Sequence, residues 1–216
     1  MKYHSKVSAI SPQNPLIYTH RGFWQGCDDQ NSLLAIIKAE QNDFGAEIDV
    51  RSHAGTVQLS HDPLQLSEYC TLNDLVSLTL PLAINLKEDG ILGLINKSGV
   101  LNQNENSFVF DGSTPQMLTA KKMGMRHALR VSEYEKTVAW HSDFIWLDSF
   151  ETDWWLTEPK TLDFFNSSKV IVVSSELHSR DPMEMWSFLR MILRTKELNF
   201  GICTDRPREF MEYING

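Results

Sequence analysis

Two histidines carry the strongest chemical signal in the chain. His20 and His61 each close an apolar run, and each is followed by a charged residue and a turn former: His-Arg-Gly at 20–22 and His-Asp-Pro at 61–63. An imidazole gives and takes a proton near neutrality, so a pair of them suits a reaction that needs both a general acid and a general base. Taken singly, either reads more readily as a hydrogen-bonded structural residue. Between them, Glu47 and Asp49 stand two apart in the run AEIDV (46–50), which puts both carboxylates on one face of a strand. Burying two bare carboxylates together is costly unless positive charge accompanies them. A hard divalent cation with oxygen ligands, Mg2+ or Ca2+, would compensate them, and so would a network of Arg and Lys. Asn85 and Lys87 repeat the two-residue spacing on a later run, placing an amide and a point charge on one face. Arg21 offers a planar fork for phosphate oxygens, and Gly22 lets the backbone approach a bound anion.

These side chains need strands to hold them. The β-rich runs are LIYTH (16–20), AEIDV (46–50), PLAINLK (81–87), SFVFD (107–111), HALRV (127–131), FIWLD (144–148), KVIVVSS (169–175) and NFGICT (199–204), with VQLSH (57–61) as an extra strand-like piece. Amphipathic segments fill most gaps. Leu33, Leu34, Ile36 and Ile37 have helical spacing behind a cap at Asn31 or Ser32; Leu72, Leu75 and Val76, then Phe210, Met211 and Ile214, behave alike. Segment 88–106 reads as helix or loop. Strands alternating with helices imply a parallel sheet, and eight such units in 216 residues imply a (β/α)8 TIM-type barrel forming a single domain over 1–216.

Ionisable and amide groups gather where the runs end: His20, Glu47/Asp49, Asn85/Lys87, Asp111, Arg130/Ser132, Asp148, Glu176 and Thr204/Asp205. Barrel enzymes place their chemistry at that end of the strands. Arg130 needs an anionic partner there, and a substrate can supply one. Glu176 and His178 follow the seventh barrel strand, a region where many barrels bind phosphate, or else belong to a capped turn before Pro182. Phe23-Trp24 and Trp154-Trp155 read as ligand walls or as hydrophobic plugs. His4, His53, His127 and His141 lack companions and read as surface or structural residues. A net charge of −8 argues against a nucleic-acid partner, yet leaves room for one phosphate in a locally basic cleft. Cys27, Cys70 and Cys203 share no metal spacing and read as reduced thiols. No run of eighteen apolar residues is present, and the segment MKYHSKVSAISPQNP lacks the apolar core of a signal peptide, so the expected location is cytoplasmic.

Together, His20-Arg21-Gly22, Asn31-Ser32, Glu47-x-Asp49, His61-Asp62, Asn85-x-Lys87 and the closing Thr204-Asp205-Arg206-Pro207 resemble the glycerophosphodiester phosphodiesterase family. The likeness is dense through about the first ninety residues. It implies a (β/α)8 barrel, His20 and His61 as the acid/base pair, Glu47 and Asp49 as metal ligands, and Arg21 and Lys87 as phosphate contacts. It also implies attack by a neighbouring substrate hydroxyl, giving a cyclic phosphate that water then opens. Two positions depart from the family pattern. Gln30 replaces an acid before the first helix, and Asn85 replaces the third metal-ligand acid; an amide oxygen coordinates without contributing charge. Asp111 is the candidate substitute. The expectation is therefore a metal-dependent hydrolase acting on a small glycerophosphodiester-like or sugar-phosphate-linked molecule. The alternatives are an impaired barrel that binds a phosphorylated glycan or lipid headgroup, and a lyase that stops at the cyclic phosphate.

Overall fold

A computed structural model describes residues 15–26, 29–63, 69–136, 140–158, 163, 165, 169–195 and 200–216. Cys27 and His4 lie outside them. Each expected run is a strand: β1 (Leu16–His20), β2 (Gly45–His53), β3 (Thr56–Leu59), β4 (Leu82–Leu86), β5 (Phe108–Phe110), β6 (Ala128–Val131), β7 (Phe144–Leu147), β8 (Lys169–Val173) and β9 (Phe200–Thr204). Eight of these run parallel in the order β5-β4-β2-β1-β9-β8-β7-β6, and β3 folds back antiparallel on β2. A single parallel bridge, Val109 to His127, joins the two ends of this order and nearly closes the barrel.

Helices lie between the strands. Ser32 caps α1 (Leu33–Gln41) by accepting from the Ala35 N–H at 3.1 Å. The 88–106 segment is helical in its middle, as α2 (Leu92–Ser98), ending on the left-handed Gly99. The stretch at Leu72–Leu75 is a 3-10 turn rather than an α-helix, because Thr71 and Asp74 bond reciprocally around one short turn. α3 (Thr114–Lys122), α4 (Met183–Thr195) and α5 (Pro207–Asn215) follow. Their apolar faces join the outward strand residues in one large core that includes Ile36, Ile48, Ile84, Val109, Leu189 and Phe210.

The alternation of strand residues puts a second, smaller core inside the barrel. Tyr18, Ala83, Phe108, Phe110, Phe144, Trp146, Ile171, Val173 and Cys203 fill it. Phe108 stacks on Phe144 at 4.3 Å and Phe110 on Trp146 at 4.1 Å. The β5–β7 side is thus bulky and aromatic. On β2, Gly45 has no room for a side chain: a Cβ there would stand 2.8 Å from the Pro81 carbonyl and 3.0 Å from the Tyr18 ring. The same inward parity, carried toward the C-terminal ends of the strands, delivers His20, Glu47, Asp49, Asn85 and Asp205 above this plug.

Candidate active site

Glu47 and Asp49 are 2% and 1% exposed, on the inward face of β2 as their spacing requires. Asp49 is the hub. Its Oδ1 lies 3.1 Å from Lys87 Nζ, and its Oδ2 lies 2.9 Å from Arg21 Nε. The Asn31 amide clamps it twice, Nδ2 donating to Oδ2 at 3.0 Å and Oδ1 accepting from the Asp49 N–H at 3.0 Å. Burial pushes the Asp49 carboxyl up, but the charges of Lys87 and Arg21 outweigh it and hold the group below its ordinary value. Arg21 and Asn31 both adopt left-handed backbone, φ 58° and 56°, a strained region for residues with a Cβ. The strain has a use. It turns the Arg21 N–H onto Glu47 Oε2 at 3.1 Å while its side chain reaches Asp49, and it lets the Asn31 N–H close onto the Arg21 carbonyl at 2.9 Å. Gly22, at φ 89°, has no room for a Cβ, which would meet Ala35 Cβ at 2.8 Å.

His20 is held from behind. Its Nδ1 lies 3.0 Å from Asp205 Oδ1, and Glu176 in turn holds Asp205 by accepting from its N–H at 3.2 Å. Burial pulls the His20 pKa down, but the hydrogen bond to Asp205 and the charges of Glu47 and Asp205 raise it above its ordinary value. With the proton on Nδ1, Nε2 is left to accept one. Glu176 also accepts from the hydroxyls of Ser174 and Thr204, so both its oxygens are engaged inside the wall. His61 arrives by a different route. β3 returns along β2, the Ser60 N–H donates to the Asp49 carbonyl at 2.9 Å, and Arg51 Nε donates to the His61 carbonyl at 3.0 Å. The His61 ring is half exposed, with Nδ1 2.9 Å from Asp62 Oδ1, and it borders a hollow of about 480 Å³ that Gln30 and Asn31 also line. Gln30 accepts from Arg21 Nη1 at 3.1 Å, which links that hollow to Asp49.

The remaining expected residues form a second cluster on β5–β8. Arg130 finds its anions within the protein, Asp111 at 3.1 Å and Glu135 at 2.9 Å. His178 Nε2 lies 2.8 Å from the buried Asp148, with the ring edge-on to Phe150. Phe150 also lies beneath the Arg130 guanidinium. Asp205 and Asn31 are contributors to which sequence reasoning gave no role as a histidine holder or carboxylate clamp. Strand parity was the available signal for Asp205, since it continues the inward positions Gly201 and Cys203 of β9.

Does this site suit a divalent cation? Among the described residues, no three His, Cys, Asp or Glu side chains converge as a ready cage. The available set is two carboxylates and an amide. Asn85 Nδ2 donates to Glu47 Oε1 at 3.1 Å, while Asn85 Oδ1 is buried without a hydrogen-bond partner. Burial and then the Asp49 charge push the Glu47 carboxyl up to about 7. An orphaned amide oxygen beside a carboxylate short of positive charge has the donor chemistry of a hard cation.

The raised Glu47 pKa has a consequence for the metal-free protein. The folded carboxyl holds its proton more tightly than an unfolded one with the ordinary value of 4.5. The resulting stability is complete below about pH 4.5 and is lost as the pH rises toward about 7. Glu47→Gln removes that loss. Under EDTA the variant should gain on the order of 3 kcal/mol over the wild type at pH 8, with the gain vanishing near pH 4.5. Urea midpoints across this range measure it, and a difference independent of pH would contradict the assignment.

The chain is thus a single-domain TIM-type barrel with an acid–base and cation-lined cluster at the C-terminal ends of its strands. Neither a protein-family profile nor a curated protein sequence matches it. Among solved structures it is similar to a glycerophosphodiester phosphodiesterase from Agrobacterium tumefaciens str. C58, with a TM-score of 0.65 and 17% sequence identity over 94% of this chain and 100% of that one. At this identity the likeness establishes the fold. No helix among the described residues is long and apolar enough to cross a membrane.

Proposed function

We propose that this barrel is a metal-dependent phosphodiesterase acting on a small glycerophosphodiester-like or sugar-phosphate-linked substrate. The carrying observation is the placement of an Asp205-held His20 beside the Arg21–Asp49–Lys87 cluster. The full-length similarity to a glycerophosphodiester phosphodiesterase supports the same reading.

In this reading Arg21 and Lys87 take the phosphoryl oxygens, and their charge grows in value as negative charge builds in the transition state. His20 is the base: Asp205 fixes the tautomer, so Nε2 accepts the proton of an attacking hydroxyl on the substrate itself. His61, at the opening of the hollow, is the acid that protonates the leaving alkoxide. Oxygen attacks phosphorus, the bond to the leaving oxygen breaks, and the product is a cyclic phosphate; water then opens it with the two histidines in exchanged roles. A divalent ion, when bound, supplies further charge to the phosphoryl oxygens. Glu47, Asp49 and Asn85 would hold it, while Asp111 is engaged by Arg130. Arg130 and His178 lie on the β5–β8 side, where the non-phosphate end of a substrate would reach. Glu176 acts through Asp205 rather than on the substrate.

Purified protein should cleave glycerophosphodiesters and lose turnover on chelation. Asn85→Glu, which restores a charge beside the ion, should lower the Mg2+ or Ca2+ concentration for half-maximal activity several-fold. Turnover of no phosphodiester with either ion would leave a binding barrel as the better reading. Turnover indifferent to EDTA would remove the metal alone.

A further inference from the structure

Resting on that reading, we propose that the divalent ion and the phosphodiester bind this site cooperatively, because Asp49 is committed to Arg21 and Lys87 until a phosphate draws those cations away. In the protein alone Asp49 already has its counter-charges in Arg21 and Lys87. Both oxygens of Asp49 are in use, Oδ1 by Lys87 at 3.1 Å and Oδ2 by Arg21 at 2.9 Å and Asn31 at 3.0 Å. An ion arriving first must compete with two resident cations for the same carboxylate. A phosphodiester arriving first must draw Arg21 and Lys87 off a buried anion.

Two unmet groups show which way each partner shifts this arrangement. Arg21 Nε sits close to Asp49 yet has no aligned hydrogen-bond acceptor. A buried guanidinium donor without an acceptor suits an anionic oxygen placed better than the carboxylate is. Asn85 Oδ1, 8% exposed as a residue, has no donor to accept from and suits a cation. When a phosphate takes Arg21 and Lys87, Asp49 regains a free charge next to Glu47 and the Asn85 oxygen, and the cation site is complete. When an ion takes Asp49, Arg21 and Lys87 are released for the phosphate. Asn31 stays in place through both steps, since it clamps Asp49 through side chain and backbone alike. Asn85 offers the ion an oxygen without charge, which strengthens the coupling. A site with fewer charges of its own holds an ion poorly until Asp49 is freed.

The test is calorimetric and needs no turnover. Mg2+ and Ca2+ are titrated into the whole protein, alone and with a saturating phosphonate analogue in which CH2 replaces the leaving-group oxygen of a glycerophosphodiester. The ion should bind about tenfold or more tightly with the analogue present, and by linkage the analogue should gain the same factor from saturating ion. Lys87→Gln frees Asp49 Oδ1 in advance. It should tighten ion binding to the unliganded protein several-fold and shrink the coupling. Equal ion affinity with and without the analogue would overturn the proposal, as would looser ion binding in Lys87→Gln. Ion binding that is tight but uncoupled leaves the phosphodiesterase reading intact. No ion binding under either condition, in a protein that still cleaves diesters, defeats the metal reading and this inference together.

Discussion

His61→Ala is expected to lose about 10^2 to 10^4-fold in kcat on a glycerophosphodiester, and far less on the p-nitrophenyl ester of glycerol phosphate, because only a poor leaving group needs its proton. Under the proposed mechanism His20→Ala should lose heavily on both, since the attacking hydroxyl would need deprotonation whichever group departs. The asymmetry follows from the surroundings of the two rings. His20 is sunk in the mouth with Asp205 behind it, whereas His61 stands half exposed at the rim of the hollow. Asp205→Asn should reproduce much of the His20 loss, because an amide donating to Nδ1 leaves the proton on the wrong nitrogen. Steady-state rates on the two esters decide the matter. Equal losses for His61→Ala on both would remove it from the acid role.

Asp49→Ala is expected to destabilise the fold. It leaves Arg21 and Lys87 without the carboxylate they share and removes the bond from Asn31 Nδ2 to Oδ2, while the backbone N–H at this position still donates to Asn31 Oδ1. Removing one partner of a buried ion pair typically costs about 3–5 kcal/mol. Here Arg21 and Lys87 remain about one-fifth exposed, so water recovers part of that. A loss of about 2–3 kcal/mol, or roughly 5–10 °C in Tm, is expected. Sulfate or phosphate should restore much of it, by occupying the place of the missing carboxylate. Thermal unfolding with and without added anion checks both parts. A Tm within a degree of the wild type would mean that Arg21 and Lys87 do not depend on Asp49.

The barrel was legible because most strands are short and apolar, and those rich in β-branched or aromatic residues, such as LIYTH and KVIVV, leave little choice of element. The Glu47-x-Asp49 pair was legible for the same reason: a strand's period of two puts both acids on one face. What compensates them was not, since whether the charge comes from Lys87, Arg21 or an ion depends on contacts between strands. The left-handed turn at Arg21 was invisible, because nothing in His-Arg-Gly says that the arginine rather than the glycine alone leaves the common backbone region. Glu176 stands after the seventh barrel strand, and its hydrogen bonds, which its position alone could not give, run into the wall toward Ser174, Thr204 and Asp205. The α-helix expected near Leu72 became a 3-10 turn because the Thr71–Asp74 pair closes within one turn.

The near-closure between β5 and β6 divides the molecule unequally in its resistance to opening. Among the described residues the Val109–His127 bridge alone joins strand to strand across that seam, helped by Arg126, which donates to the carbonyls of Ser107 at 2.8 Å and Asn104 at 3.0 Å. A place with few ladder bonds is where local opening has the lowest free energy. The ladder β4-β2-β1-β9, by contrast, is continuous on both sides of every strand and carries His20, Glu47, Asp49 and Asp205 in its middle or at its ends. The barrel is therefore expected to open first on the side away from His20, Glu47 and Asp49. Amides of Val109 and its neighbours should exchange with solvent while the β1–β2 ladder remains protected.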